Sequence, residues 1–220
     1  MVQQILTIDR VAKRPDLITF LISLPNGSNA QLRPLIFEDE EGLVLFFRQL
    51  SESTRRFYSF SGSEEKHAQE LCRAINQYDK LRLVVEKPIS EKGIIGLVEF
   101  SFAILEADIK RYLKYKLTLN PDKDCRYGLC ISDQYQNQRI GSLLFPYVKK
   151  IALLFGKSRI ILWGGVHSDN ALAIRHYKRN GFEEVGEYTN SDGNQCIDMF
   201  YSLNDEQLDL TYNNLARSKK

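Results

Sequence analysis

Hydrophobic and polar positions follow two rhythms along this chain, one of period two and one close to period 3.6. Residues 17–24 are mostly apolar, Pro25-Asn26-Gly27-Ser28 reads as a turn, and 31–36 returns, which predicts a hairpin. The acidic run 38–41 predicts the opening of a helix, because acids in a first turn face its positive end. Leu43, Val44, Phe47 and Leu50 then form that helix's buried stripe. Ala68, Leu71, Cys72 and Ile75 predict another helix, with Ser61 and Glu64 as its capping box. Residues 81–86 and 93–100 read as strands around a loop at 88–92.

Farther on, 126–132 reads as a strand, followed by a polar turn and an apolar-periodic helix from about Ile140. A strand at 159–166, a helix at 169–180 and strands near 182–188 and 196–203 complete the pattern. Leu113, Tyr115, Leu117 and Leu119 alternate with Lys114, Lys116 and Thr118, predicting a half-buried strand or flap over 110–117. Its mixed bases and aromatics would also suit a nucleic-acid surface. The fold class expected is α/β (α+β), a mixed sheet covered by helices. Pro146 should kink its helix, and the polar stretch 204–220 should fray.

Composition narrows the function. The 220 residues are 43% hydrophobic and 26% charged, enough for a core without disulfides or metal. Thirty bases against 28 acids give a net charge of +2, too balanced to coat nucleic acid or an anionic membrane. Cys72, Cys125, Cys130 and Cys196 form no CxxC pair or zinc-binding spacing, so they read as small buried hydrophobes and no metal is expected. No apolar run approaches a membrane span and the first residues lack a signal-peptide pattern, so the expectation is a cytoplasmic protein without nucleic-acid or membrane partners.

Chemistry concentrates in two segments. In Cys130–Leu144 a strand runs through a short polar loop straight into a helix. The first amides of a helix lack internal partners and point together, and a diphosphate is their natural ligand. In the second segment, Asn170 and Tyr177 stand two helical turns apart, and Gly181 then offers a left-handed stop before Phe182.

Together these segments resemble the GNAT superfamily of acyl-CoA-dependent N-acetyltransferases. The family's phosphate signature, Q/R-x-x-G-x-G/A, matches Gln136, Asn137, Gln138, Arg139, Ile140 and Gly141; its later N-x-x-A-x-x-x-Y…G-F pattern matches Asn170, Ala173, Tyr177, Gly181 and Phe182. The likeness is firm from Arg126 to Tyr188 and extends back to Leu32-Arg33-Pro34. The segment holding Ser53, Arg55, Arg56, Phe57 and Phe60 is similar to that of bacterial members acting on protein lysines. One position departs: Arg139 stands where the signature has glycine, and right-handed dihedrals there would let its amide and guanidinium both reach phosphate.

The resemblance implies a mostly antiparallel central sheet flanked by helices, with an N-terminal hairpin extension over 1–28, the acetyltransferase domain over 29–203 and a tail over 204–220. It implies acetyl-CoA as cofactor, with the Leu129 and Ile131 main chain along the pantetheine arm. Gln136 belongs to the signature, the amides of Gln138, Arg139, Ile140, Gly141 and Ser142 would hold the diphosphate, and Asn170 would help orient the cofactor. Gly164-Gly165 would form a bulge, a close approach or a plain turn. Tyr177 sits where the family places the general acid. For the base, Glu99 comes first and Glu86 second; His167 is less suited, and His67 and His176 read as helix-surface residues. The segment 106–124 would wall or cover the acceptor site. The function implied is direct acetyl transfer to a primary amine, on a small molecule, a protein lysine or a protein N-terminus, by a monomer or homodimer. The alternative is a catalytically weak acyl-CoA-binding sensor or regulatory module.

Overall fold

The structure, a computed structural model, describes residues 5–58, 60, 62–75, 79–87 and 93–203. Its described residues divide into two compact units, one within 7–100 and 128–141, the other within 5–6, 101–127 and 142–203. The expected tail at 204–220 and the loop at 88–92 lie outside the described residues.

The first unit opens with α1 (Ile8–Lys13), whose cap is the Thr7 hydroxyl. The expected hairpin follows as β1 (Phe20–Ser23) and β2 (Asn29–Pro34), paired from Phe20↔Leu32 to Ser23↔Asn29. The first strand is shorter than its apolar run because Pro15–Ile18 winds into a 3-10 turn. The acidic run does open a helix, α2 (Glu40–Arg48), after a 3-10 turn at Phe37–Asp39. Asp39 turns inward and receives both terminal nitrogens of Arg33 at 2.7 and 2.8 Å. Helices α3 (Glu52–Arg55) and α4 (Glu64–Arg73) follow. The cap of α4 is Ser63, which accepts from the Lys66 amide, so the expected Ser61 box is not the one used; Ser61 lies outside the described residues.

Strands β3 (Lys80–Lys87) and β4 (Gly93–Ser101) continue this unit's sheet in the order β1-β2-β3-β4-β5, where β5 is Asp124–Ile131. Helices α2 and α4 bury Leu43, Phe46, Phe47, Leu71 and Cys72 in one cluster with Val84, Leu97 and Cys130 of the strands. His67 corrects its expected surface position: it faces inward from α4, among the rings of Phe47, Tyr58 and Phe60.

The second unit takes the first half of β5 and orders its strands β5-β6-β9-β7, with β8 on β9. These are β6 (Arg159–Leu162), β7 (Val166–His167), β8 (Glu183–Thr189) and β9 (Gln195–Ser202). The β5–β6 pair is parallel, and the pairs made by β9 are antiparallel. The expected strand at 159–166 breaks in two at Gly164 and Gly165, both left-handed. A Cβ at Gly165 would stand 2.8 Å from the Ile197 carbonyl oxygen, so the pair serves both a turn and a close backbone approach.

The strand expected over 110–117 is instead α5 (Glu106–Lys114). The helical period wins because Asp108 and Tyr112 are buried and Ile109 half-buried, while Leu113 is exposed. Glu106 and Asp108 open the helix and Lys110 pairs back to Glu106. Lys116, at φ +62°, ends it, so alternation begins only beyond, where Leu117 and Leu119 join Tyr112 and Ile161. Helix α6 (Ile140–Leu154) runs through Pro146, which supplies no amide to the Ser142 carbonyl. With α7 (Ala171–Arg179) it encloses Tyr127, Phe145, Tyr177, Phe182 and Tyr201 in an aromatic core. All four cysteines are buried and free, as expected. Among the described residues no helix is long and apolar enough to cross a membrane.

Candidate active site

Strand β5 outruns its neighbour. Its ladder with β6 ends at Tyr127↔Leu162, closed by the Trp163 amide donating to the Tyr127 carbonyl at 2.9 Å. Four more residues, Gly128 to Ile131, continue as strand before the chain turns through Asp133–Tyr135 and 136–139 into α6. The main chain of Leu129 lies on this extension. The Ile131 carbonyl already accepts from Gln136 Nε2 at 3.0 Å.

The turn is braced from α3. The Asp133 carboxylate receives the Ser51 amide at 2.9 Å, the Ser51 hydroxyl at 2.5 Å and the Thr54 hydroxyl at 2.7 Å. Burial alone would raise this acid, but the Ser51 and Thr54 donors outweigh it and hold Asp133 below the usual carboxylate range. Gln136 Nε2 also donates to Thr54 Oγ1 at 3.0 Å. The signature's Gln136 side chain is therefore an internal strut, and Gln138 Nε2 bonds to the Gln134 carbonyl at 2.7 Å. The sequence showed neither Asp133 nor Thr54 as a site element, because Asp133 lies 82 residues from Ser51 and 79 from Thr54. The single local signal was Ser51, which caps α3 by accepting from the Thr54 amide.

Arg139 takes φ +60°, as does Asn137. This overturns the right-handed dihedrals expected for it. A left-handed turn is one that glycine, the residue the signature has there, adopts freely, and this chain carries an arginine in it at a cost in strain. Both side chains are exposed. The loop thus presents a cation at the tip of α6. A diphosphate suits that donor set: helix-start amides from Ile140 onward, an exposed guanidinium, and no acid among residues 136–142. Ser142 itself accepts from Asn180 Nδ2 at 3.1 Å.

Tyr177 is 7% exposed on α7, edge-on to the Phe182 ring at 5.2 Å and to the Tyr127 ring at 6.4 Å. Asn170 caps the same helix, its Oδ1 accepting from the Ala173 amide at 3.1 Å. His176 corrects its expected surface place: its Nε2 is buried without a hydrogen-bond partner, and burial, with help from Arg179, pulls the imidazole down to about 4.

Glu99 stands on β4 with 17% of its side chain exposed. One carboxylate oxygen receives Arg82 Nε at 3.0 Å and the other the Tyr58 hydroxyl at 3.2 Å. Burial first, then the Glu99 charge, push Tyr58 well above the ordinary phenol range, so it remains a donor. His67 Nε2 lies 3.3 Å from the same hydroxyl, and burial lowers that imidazole. Glu86, the second candidate base, is paired with Arg33 at 2.8 Å. His167 lies on β7 opposite Cys196. Among the described residues no group of three or more histidine, cysteine or acidic side chains could hold a metal ion.

Comparison with solved structures finds this architecture repeatedly. The GNAT domain of S. lividans PAT superposes with a TM-score of 0.66 at 19% identity, covering 86% of this chain and 99% of that one. Spermidine N-acetyltransferase from Vibrio cholerae, solved with CoA and spermine, gives 0.60 at 19% identity over 81% and 98%. Aminoglycoside acetyltransferase AAC(6')-Ib, solved with paromomycin and acetyl-CoA, gives 0.60 at 17% over 82% and 96%. Among curated protein sequences none matches. The family model for GNAT acetyltransferases matches residues 47–182, more than half of the chain and all of the β5–α6 and α7 motifs, so the chain belongs to the GNAT family of acetyltransferases.

Proposed function

We propose that the protein transfers an acetyl group from acetyl-CoA directly to a primary amine. The observation that carries this reading is the β5–α6 turn. It leads straight into the start of α6, its base is locked by Asp133 and Gln136, and the exposed Arg139 guanidinium adds charge complementary to a diphosphate. The amides of Gln138 to Ser142 and the Arg139 side chain would hold the diphosphate, Leu129 would pair with the pantetheine arm, and Asn170 would help orient the cofactor. Bound there, acetyl-CoA supplies an activated thioester.

The protein's own groups then handle two protons. A lysine-like amine is neutral about once in 2,500 at pH 7, a deficit of about 4.6 kcal/mol. Arg82, ion-paired to Glu99, disfavours an incoming ammonium and so favours docking of the neutral form. Glu99 would accept the proton, directly or through water, and the Tyr177 phenol would supply one to the departing thiolate. Two structural relatives are named for small-molecule amines, spermidine and an aminoglycoside, and another for an alanine of a ribosomal protein, so the amine panel includes both small molecules and peptides. The segment 106–124 would form one wall of the acceptor site.

Calorimetric titration with coenzyme A, followed by a thiol-release assay over an amine panel, tests the reading. Micromolar binding with turnover on at least one amine is the expected result. Binding without any turnover would make the chain an acyl-CoA-binding module, and no binding would reject both.

A further inference from the structure

The space in front of Glu99 is set by one glycine. Strands β4 and β5 are neighbours, and two contacts set their register. The Ser132 amide donates to the Ile95 carbonyl at 2.9 Å, and one residue along each strand a Cβ at Gly96 would stand 2.8 Å from the Ile131 side chain. As one strand number rises the other falls, so the pair is antiparallel and Glu99 lies opposite Gly128. Opposed residues share a face, with side-chain roots roughly 4.5–5.5 Å apart. Cys130 and Leu97, one step along each strand on that face, are packed into the α2–α4 cluster. Gly128 adds nothing to that packing. A Cβ built there meets no described atom within 4 Å, and its φ is not left-handed, so neither clash nor backbone strain calls for glycine.

A second observation points to a ligand. An ionised carboxylate offers about four lone-pair sites. Glu99 spends one on Arg82 Nε and one on the Tyr58 hydroxyl, which hold it in place and leave acceptor capacity over. Beside it Gly128 leaves room for at least one Cβ, Tyr58 is bonded to the carboxylate, and buried Cys130 stands two residues along the same face.

We propose that Gly128 and Glu99 form the acceptor slot, and that Gly128 selects a primary amine carried on an unbranched methylene chain. A chain of that width can lie over Gly128 with its nitrogen on the free Glu99 lone pairs; a branch next to the nitrogen collides with the slot's flanks. The inference rests on the acetyltransferase reading and names the acceptor class for it.

The test uses the full chain, Gly128→Ala and Gly128→Val, with n-butylamine and sec-butylamine as isomeric probes. Coenzyme A affinity is measured by calorimetry for each protein, and each amine is then titrated into the coenzyme-saturated protein. Thiol release with acetyl-CoA gives kcat/KM. The wild-type chain should favour n-butylamine about ten- to two-hundredfold, the span of discrimination one carbon group provides. Gly128→Ala should lose about tenfold in n-butylamine affinity and Gly128→Val more, with coenzyme A affinity and melting temperature kept. Equal handling of the two amines by the wild type, no amine binding, or unchanged n-butylamine affinity in Gly128→Ala overturns the slot. If coenzyme A still binds in those cases, the cofactor reading survives; if coenzyme A fails to bind the wild type, that reading falls, whatever the amines do.

Discussion

Two buried ionic clusters, one in each compact unit, are built from the same kinds of side chain and end differently. In the second unit Asp108 and Asp198 meet Arg111 and Arg126. Arg111 donates to both acids, and Arg126 lies 3.7 Å from Asp108 while bonding Ser101 and the Ala103 carbonyl. The arginines also cover the Tyr188 and Trp163 rings. Two negative charges face two positive ones, and Asp198 has no exposed side-chain surface. This cluster ties α5 to β9, and the one oxygen it leaves without a hydrogen bond, Asp108 Oδ2, is buried beside Arg126. In the first unit Glu99 is held by Arg82 and Tyr58 but keeps spare acceptor capacity beside a glycine. The contrast teaches that spare acceptor capacity counts toward function only where it is open: Asp108 Oδ2 is sealed in, whereas the Glu99 side chain keeps part of its surface exposed.

The largest expected effect separates the two clusters by stability. Arg111→Ala strands two buried carboxylates and should cost about 3–5 kcal/mol in urea unfolding, with coenzyme A affinity of the folded fraction unchanged. Glu99→Gln keeps an oxygen for Arg82 and should cost only about 1–2 kcal/mol. Its turnover should nevertheless fall about 10²- to 10⁴-fold if Glu99 takes the amine proton. Equal destabilisation by the two variants, with turnover kept in Glu99→Gln, would erase the distinction.

What the sequence revealed tracks how local the physics is. The β5–turn–α6 and α7 motifs were legible because a helix start, a cap and a glycine stop are written within a few residues, and the hairpin and acidic helix start were legible for the same reason. Helix α5 was misread because Leu113 and Lys114 satisfy either period, and only the burial of Tyr112 against Ile161 decides between them. His67 and His176 look polar in isolation, and their neighbours bury them. Arg139's left-handed turn was invisible because residue type argued against it, and the Asp133 brace depends on Ser51 and Thr54 from a distant helix.

A buried group with neither charged partner nor opening supplies the control. His176 is held near 4 against 6.5 when unfolded, so the unfolded chain binds the proton first as pH falls. Stability from this group is therefore full above about pH 6.5 and is lost on descending toward pH 4, by about 3 kcal/mol at most. Chemical denaturation at pH 7 and pH 4.5 should show a smaller loss for His176→Gln than for the parent chain. Equal losses would mean that the ring carries no such linkage. A smaller effect is expected at the adjacent phenol: Tyr177→Phe should retain coenzyme A affinity and lose about 10²-fold in turnover, measured by thiol release. Unchanged turnover would remove Tyr177 as the acid and leave proton delivery to solvent.

The smallest effect concerns a charge that is neither buried nor paired in a cluster. Arg139 pays for its left-handed backbone with roughly 1 kcal/mol of strain, and glycine would relieve it. Glycine also frees the unfolded chain, returning about 0.5–1 kcal/mol of that gain. Arg139→Gly should therefore change folding stability by no more than about 0.5 kcal/mol while restoring the family signature. Binding should move the other way. If the exposed guanidinium pairs with the diphosphate, its loss weakens coenzyme A a few-fold at low salt, and the difference shrinks as added salt screens the parent's attraction. Calorimetry at two ionic strengths reads both quantities. Tighter binding by the glycine variant would show that the arginine obstructs the turn it occupies, and the extra charge would then have to be assigned to something other than phosphate.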